Sequence, residues 1–112
     1  RSMTELAYHR VASAADLDDG DVREAQVGST LLAIYRLGED FYATAGICTH
    51  AYARMAEGYV EGEIIECPYH GGAFEIRTGK AVAAPCTHDL KTFPVRVDGD
   101  DVLVGLPVGL PA

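Results

Sequence analysis

Apolar residues in this chain fall in short alternating runs, broken by turn residues at intervals of about eight to twelve positions. Period-two patterning with such breaks predicts an all-β fold of the sandwich or barrel kind. Residues 8–12 begin a first strand, and residues 13–17 read as one short helical turn. Asp18-Asp19-Gly20-Asp21 is a turn. Val22–Val27 and Thr30–Leu37, rich in β-branched and aliphatic side chains, make a hairpin around Gly28-Ser29. Gly38-Glu39-Asp40 turns the chain into a strand over 41–45. Further on, residues 57–63 read as a short strand and tight turn, 64–66 as a buried strand, and 73–76 as another before a turn at Thr78-Gly79. The stretch 81–90 reads as irregular around Pro85. Strands over 91–97 and 101–106 pair across Asp98-Gly99-Asp100. Nowhere is there a long apolar stripe at helical spacing.

A length of 112 residues suits one domain, taken as residues 3–112, with Arg1-Ser2 a remnant ahead of a natural Met3. Net charge is −8 and the pI about 4.8, which argues against nucleic acid as a partner. Acidic residues gather at Asp16, Asp18, Asp19 and Asp21, at Glu57, Glu61, Glu63 and Glu66, and at Asp98, Asp100 and Asp101. Most read as a solvated surface, part of whose field can steer basic partners. The first group is not a calcium loop, because Val27 stands where the closing Glu belongs. No apolar run approaches a membrane span and no signal core precedes the first strand, so a cytoplasmic protein is expected.

The chemistry concentrates between Cys48 and His70. Cys48-Thr49-His50 and Cys67-Pro68-Tyr69-His70 each offer one sulfur and one nitrogen, sixteen residues apart. Zinc fingers usually set two cysteines together and two histidines together. A Cys-His, Cys-His order instead suits two irons, one taking both thiolates and the other both imidazoles, as in a mixed-ligand [2Fe–2S] centre. A structural zinc module for protein interaction is the competing reading.

These motifs, with Gly71-Gly72-Ala73-Phe74, Arg77-Thr78-Gly79-Lys80, the run from Phe93 to Val97 and Asp101-Val102-Leu103-Val104, resemble a Rieske ferredoxin. More narrowly, they resemble the ferredoxin component of bacterial aromatic-ring-hydroxylating dioxygenases of the naphthalene and biphenyl type. The resemblance implies a small cluster-binding subdomain on a larger antiparallel β sandwich or barrel base. Its ligand loops would fall at about 46–55 and 66–74, and a shielding proline loop at about 83–88. It assigns Cys48 and Cys67 to one iron of a single [2Fe–2S] cluster, and His50 and His70 to the other. It implies a monomeric one-electron carrier with no catalysis of its own. Electrons would come from an NAD(P)H-dependent flavoprotein reductase and go to a terminal oxygenase. A different monooxygenase as acceptor is the alternative. The chain is too short to be the oxygenase, whose mononuclear iron needs a further large domain.

High-potential members of that family add a loop disulfide and two hydroxyls to the cluster sulfurs. Ala53, Tyr69, Gly72 and Phe74 stand at those positions, so a potential near about −150 mV is expected. Gly71 and Gly72 let backbone amides approach the sulfides, and the ligand imidazoles should make the potential fall as pH rises. Cys86-Thr87-His88 repeats the Cys-x-His pattern, but the resemblance leaves both Cys86 and His88 outside the ligand set, and His9 has no assigned role. Ala51, Tyr52, Met55, Tyr69 and Pro85 are expected around the ligands as a lid or docking face.

Overall fold

The computed structural model describes residues 5–49, 53–68, 72–84 and 88–108. Eleven strands appear among them: β1 (Leu6–Ser13), β2 (Val22–Val27), β3 (Thr30–Leu37), β4 (Asp40–Ala45), β5 (Tyr59–Glu61), β6 (Ile64–Glu66), β7 (Ala73–Glu75), β8 (Ala81–Ala83), β9 (Thr92–Phe93), β10 (Val95–Asp98) and β11 (Asp101–Pro107). They build three antiparallel sheets ordered β1-β11-β10, β2-β3-β4-β9 and β5-β6-β7-β8. The expected all-β architecture, a small unit on a larger base, is what the chain adopts. The helical turn expected over 13–17 is a 3-10 turn at Ala14–Asp16.

Four hairpins share one device. Val27 faces Thr30, Leu37 faces Asp40, Glu61 faces Ile64 and Asp98 faces Asp101, so each loop has two residues. The first of each pair is glycine, with φ of 60, 64, 60 and 62°. Positive φ at that position gives the tight turn whose twist matches the strands, and glycine reaches it without strain. Carboxylates brace other turns. Asp21 accepts from the Asp18 amide and Asp19 from the Gly38 amide, at 2.8 and 2.7 Å. Asp100 accepts from the Ser13 hydroxyl and the Ala15 amide. The acidic groups read from the sequence as solvated surface are therefore partly structural.

β3 is the strand on which both cores rest. Its central residues Leu32 to Tyr35 are all buried. Alternation sends Leu32 and Ile34 to one face, where they pack with Ala43, Val102, Val104 and Leu106 between the two larger sheets. Ala33 and Tyr35 turn the other way, to a second core with Ile65, Phe74, Ile76 and Leu90 beneath the small sheet. The Tyr35 phenol is in that second core, 2.8 Å from the Thr44 hydroxyl. Thr44 gives its single proton to the Ala45 carbonyl at 2.9 Å, so the phenol is the donor between them. Burial raises the phenol's pKa well above its usual value, keeping it neutral.

Two expectations are corrected. The strand expected over 91–97 is two strands in different sheets. Thr92–Phe93 pairs with β4, and Val95–Asp98 pairs with β11. Pro94 lies at the break, because it has no N–H to continue a ladder. The stretch 81–90 is not irregular throughout, since Ala81–Ala83 forms β8 against β7. Alanine has little strand preference of its own, so the partner strand decides. A bulge sets Val82 outward, 48% exposed, between Ala81 opposite Phe74 and Ala83 opposite Ala73.

Segment 46–90 leaves and re-enters the second sheet at one place. Ala43 and Thr44 pair with Phe93 and Thr92, and the Ala45 amide donates to the Lys91 carbonyl at 2.8 Å. The small sheet is thus an insertion between two neighbouring strands.

Candidate metal centre

Two loops of equal span bring the cysteines together. The Cys48 amide donates to the Ala53 carbonyl at 2.9 Å, and the Cys67 amide donates to the Gly72 carbonyl at 2.6 Å. Each bond joins residue i to residue i+5, with a cysteine at the base. Below the first loop, Ile47 bridges to Arg54 and the Met55 amide donates to the Gly46 carbonyl at 2.9 Å. Below the second, Glu66 pairs with Ala73, so this loop is the β6–β7 hairpin connection. Cys48 is 5% exposed and Cys67 1%, and both belong to the core that holds Ala53, Met55, Ile65 and Phe74.

A third segment abuts the first loop. The Thr49 hydroxyl donates to the His88 carbonyl at 2.8 Å. The next two residues are anchored in turn. Asp89 accepts from the Ala81 amide through Oδ1 at 3.0 Å, and the Leu90 amide donates to the Gly79 carbonyl at 2.6 Å. Leu90 is buried in the same core as the cysteines. Gly79 has φ +78°, and a Cβ there would stand 1.8 Å from the Leu90 carbonyl oxygen, so this approach needs glycine. Ion pairs lie nearby on the surface: Arg54 with Glu24 on β2, and Arg77 with Glu63, at 3.2 and 2.8 Å.

Of the four expected ligands, Cys48 and Cys67 fall at equivalent places in paired loops, in one core. His50 and His70 lie outside the described residues, each within the six-residue span its cysteine opens. Among the described residues no three His, Cys, Asp or Glu side chains converge into a further metal-sized group. Two buried thiols at the bases of matched loops fit a metal that takes both sulfurs on one side. Phe74, at one of the positions lacking a hydroxyl, is fully buried in the core that holds both cysteines, and Gly72 supplies the carbonyl that closes the second loop.

Met55 is neither lid nor docking residue. It is fully buried below the first loop, in a 3-10 turn leading to β5. Ala51, Tyr52, Tyr69, Gly71, Pro85 and Cys86 lie outside the described residues, and His88 is exposed. The contacts Thr49–His88 and Gly79–Leu90 were not read from the sequence. A glycine at Gly79 signalled a turn, but nothing local marked its long-range partner.

Comparison with known proteins agrees with this geometry. The family model for the Rieske [2Fe–2S] domain matches residues 7–94. The chain is 45% identical over 96 residues to the ferredoxin CarAc of Metapseudomonas resinovorans, covering 85% of this chain and 90% of that one. It is 43% identical over 104 residues to the ferredoxin component of the naphthalene 1,2-dioxygenase system of Pseudomonas aeruginosa, covering 93% and 99%. Among solved structures it is similar to the complex of reduced oxygenase and oxidised ferredoxin in carbazole 1,9a-dioxygenase. There the TM-score is 0.82 at 44% identity, with 87% of this chain and 91% of that chain covered.

Proposed function

Because the chain belongs to the Rieske [2Fe–2S] domain family, we propose that it carries single electrons from an NAD(P)H-dependent flavoprotein reductase to a terminal Rieske non-haem iron oxygenase that attacks an aromatic compound. Residues 3–112 form the one domain, working in the cytoplasm. Cys48 and Cys67 hold one iron, and His50 and His70 the other. The group they hold supplies a one-electron couple at a potential that imidazole ligation raises above an all-cysteine centre.

The observation that carries this reading is the pair of matched loops, each with a buried cysteine at its base, in a chain similar over nearly its full length to dioxygenase ferredoxins. The residues supply position and exclusion of water. Burial of both thiols in an apolar core keeps solvent from the sulfur side, which leaves the histidine side as the exit for the electron. The segment 88–90 backs the first loop, and β6 and β7 hold the second.

The test is EPR of the dithionite-reduced protein with iron and zinc measured on the same sample. A rhombic signal averaging below that of all-cysteine clusters, with two irons per chain, is expected. A silent spectrum with zinc bound would discard the electron-carrier reading in favour of a metal-stapled interaction module. Reduction by NADH through an added flavoprotein reductase, followed by reoxidation on a terminal oxygenase, tests the two partners.

A further inference from the structure

We propose that Thr49 is a positioning residue whose hydroxyl clasps the first ligand loop to a rail formed by residues 88–90, and that this clasp governs how long the metal centre is retained. The inference rests on the ligand assignment above. It goes beyond that assignment because Thr49 is not a ligand and faces another part of the chain.

The site spans two sheets. The second loop belongs wholly to the small sheet, as the β6–β7 connection. The first loop departs from β4 in the second base sheet and reaches the small sheet only after the 3-10 turn at Met55–Glu57. Matched ligand geometry therefore requires the first loop to be registered against the small sheet. The rail is fixed to that sheet before Thr49 touches it. Asp89 takes the Ala81 amide on β8, and Leu90 is bonded to Gly79 and buried. The Gly79 amide in turn donates to the Glu75 carbonyl at 2.7 Å, at the end of β7.

Thr49 sits between Cys48 and His50, so its 2.8 Å bond to the His88 carbonyl acts at the centre of the ligand motif. A hydroxyl is needed at this position because the acceptor is a carbonyl. Valine has the same shape and cannot donate.

The experiment compares holoprotein with Thr49→Val, Thr49→Ser and, as a control on a different sheet, Ser13→Ala, whose hydroxyl on β1 bonds Asp100. Iron release to excess chelator is followed by loss of the visible band, and the reduction potential is measured on each. Thr49→Val should release iron about threefold faster, the part of a hydrogen bond's worth that remains where water can compete for the carbonyl. Thr49→Ser and Ser13→Ala should release at the wild-type rate. Thr49→Ala reads the same loss without the branched side chain. Wild-type release from Thr49→Val, or failure of serine to rescue, overturns the clasp alone. A wild-type protein without a two-iron centre overturns the clasp together with the ligand assignment, so the two failures are distinguishable.

Discussion

Gly79→Ala separates backbone strain from a collision, because the chain contains its own control. Gly99 has nearly the same left-handed conformation, φ +62° against +78°, but a Cβ there meets nothing within 4 Å. Alanine at Gly99 carries only the conformational cost of about 1–2 kcal/mol. Alanine at Gly79 carries that cost and more. Its Cβ would lie 1.8 Å from the Leu90 carbonyl oxygen and 3.0 Å from the Thr92 methyl. Neither the carbonyl nor the strand behind it can move freely, so the rail itself must shift. That shift breaks the 2.6 Å bond from the Leu90 amide to the Gly79 carbonyl, worth about 1 kcal/mol. It also draws Leu90, 2% exposed, partly out of the core, at a further cost of about 1–2 kcal/mol. The sum is about 3–5 kcal/mol against about 1–2 for Gly99→Ala. At about 4 °C per kcal/mol for a domain this size, thermal melts should fall by about 12–20 °C and about 4–8 °C respectively. Equal shifts for the two variants would show that the Gly79–Leu90 approach has no energetic role and that the rail is soft.

The remaining predictions concern the site and the surface. Phe74→Tyr places a phenol at a buried position in the core that holds both cysteines, and a hydroxyl donating to a cluster sulfur favours the reduced, more negative state. A difference of about 1 kcal/mol between the redox states raises the potential by about 40 mV in redox titration, and an unchanged value with the centre intact would refute the hydrogen-bond argument. The Ser13 hydroxyl first, then the Ala15 amide, hold the Asp100 carboxyl below its ordinary pKa. A depressed folded pKa stabilises the fold above the unfolded value of about 3.9 and ceases to do so as pH falls through the folded one. Asp100→Asn should therefore flatten the acid side of a melting-temperature profile below about pH 4, and a profile parallel to wild type would exclude this carboxyl as a cause of acid unfolding.

What the sequence made legible follows from how local each signal is. Gly28, Gly38, Gly62 and Gly99 announce their hairpins because a two-residue turn depends on those residues alone. The paired cysteine loops were legible for a similar reason: Cys48 and Cys67 each begin a short loop marked by its own local motif. β8 was missed because Ala81–Ala83 is a strand only through β7 beside it. The change of sheet at Pro94 was missed because the apolar alternation runs on through Phe93 and Val95, although one pairs with β4 and the other with β11. Met55 has the composition of a surface anchor or a core filler, and only its depth below the first loop decides. The bond from Thr49 to His88 joins residues 39 positions apart, beyond any local pattern.

The entry and exit of segment 46–90 lie side by side, joined by the Ala45–Lys91 bond, so a protein engineer could close the gap with a tight turn and keep β4 next to β9. The topology invites that deletion, and β3 forbids it. With the insert removed, Ala33, Tyr35 and Thr44 would become an outer surface, and the Tyr35 ring would change from interior filling to an open sticky face. The same surface explains why the insert would not transplant readily onto another β scaffold. Its floor is supplied by two host strands, β3 with Ala33 and Tyr35 and β4 with Thr44, so a recipient scaffold must bring an alanine, a tyrosine and a threonine at matching positions before it can receive the loops.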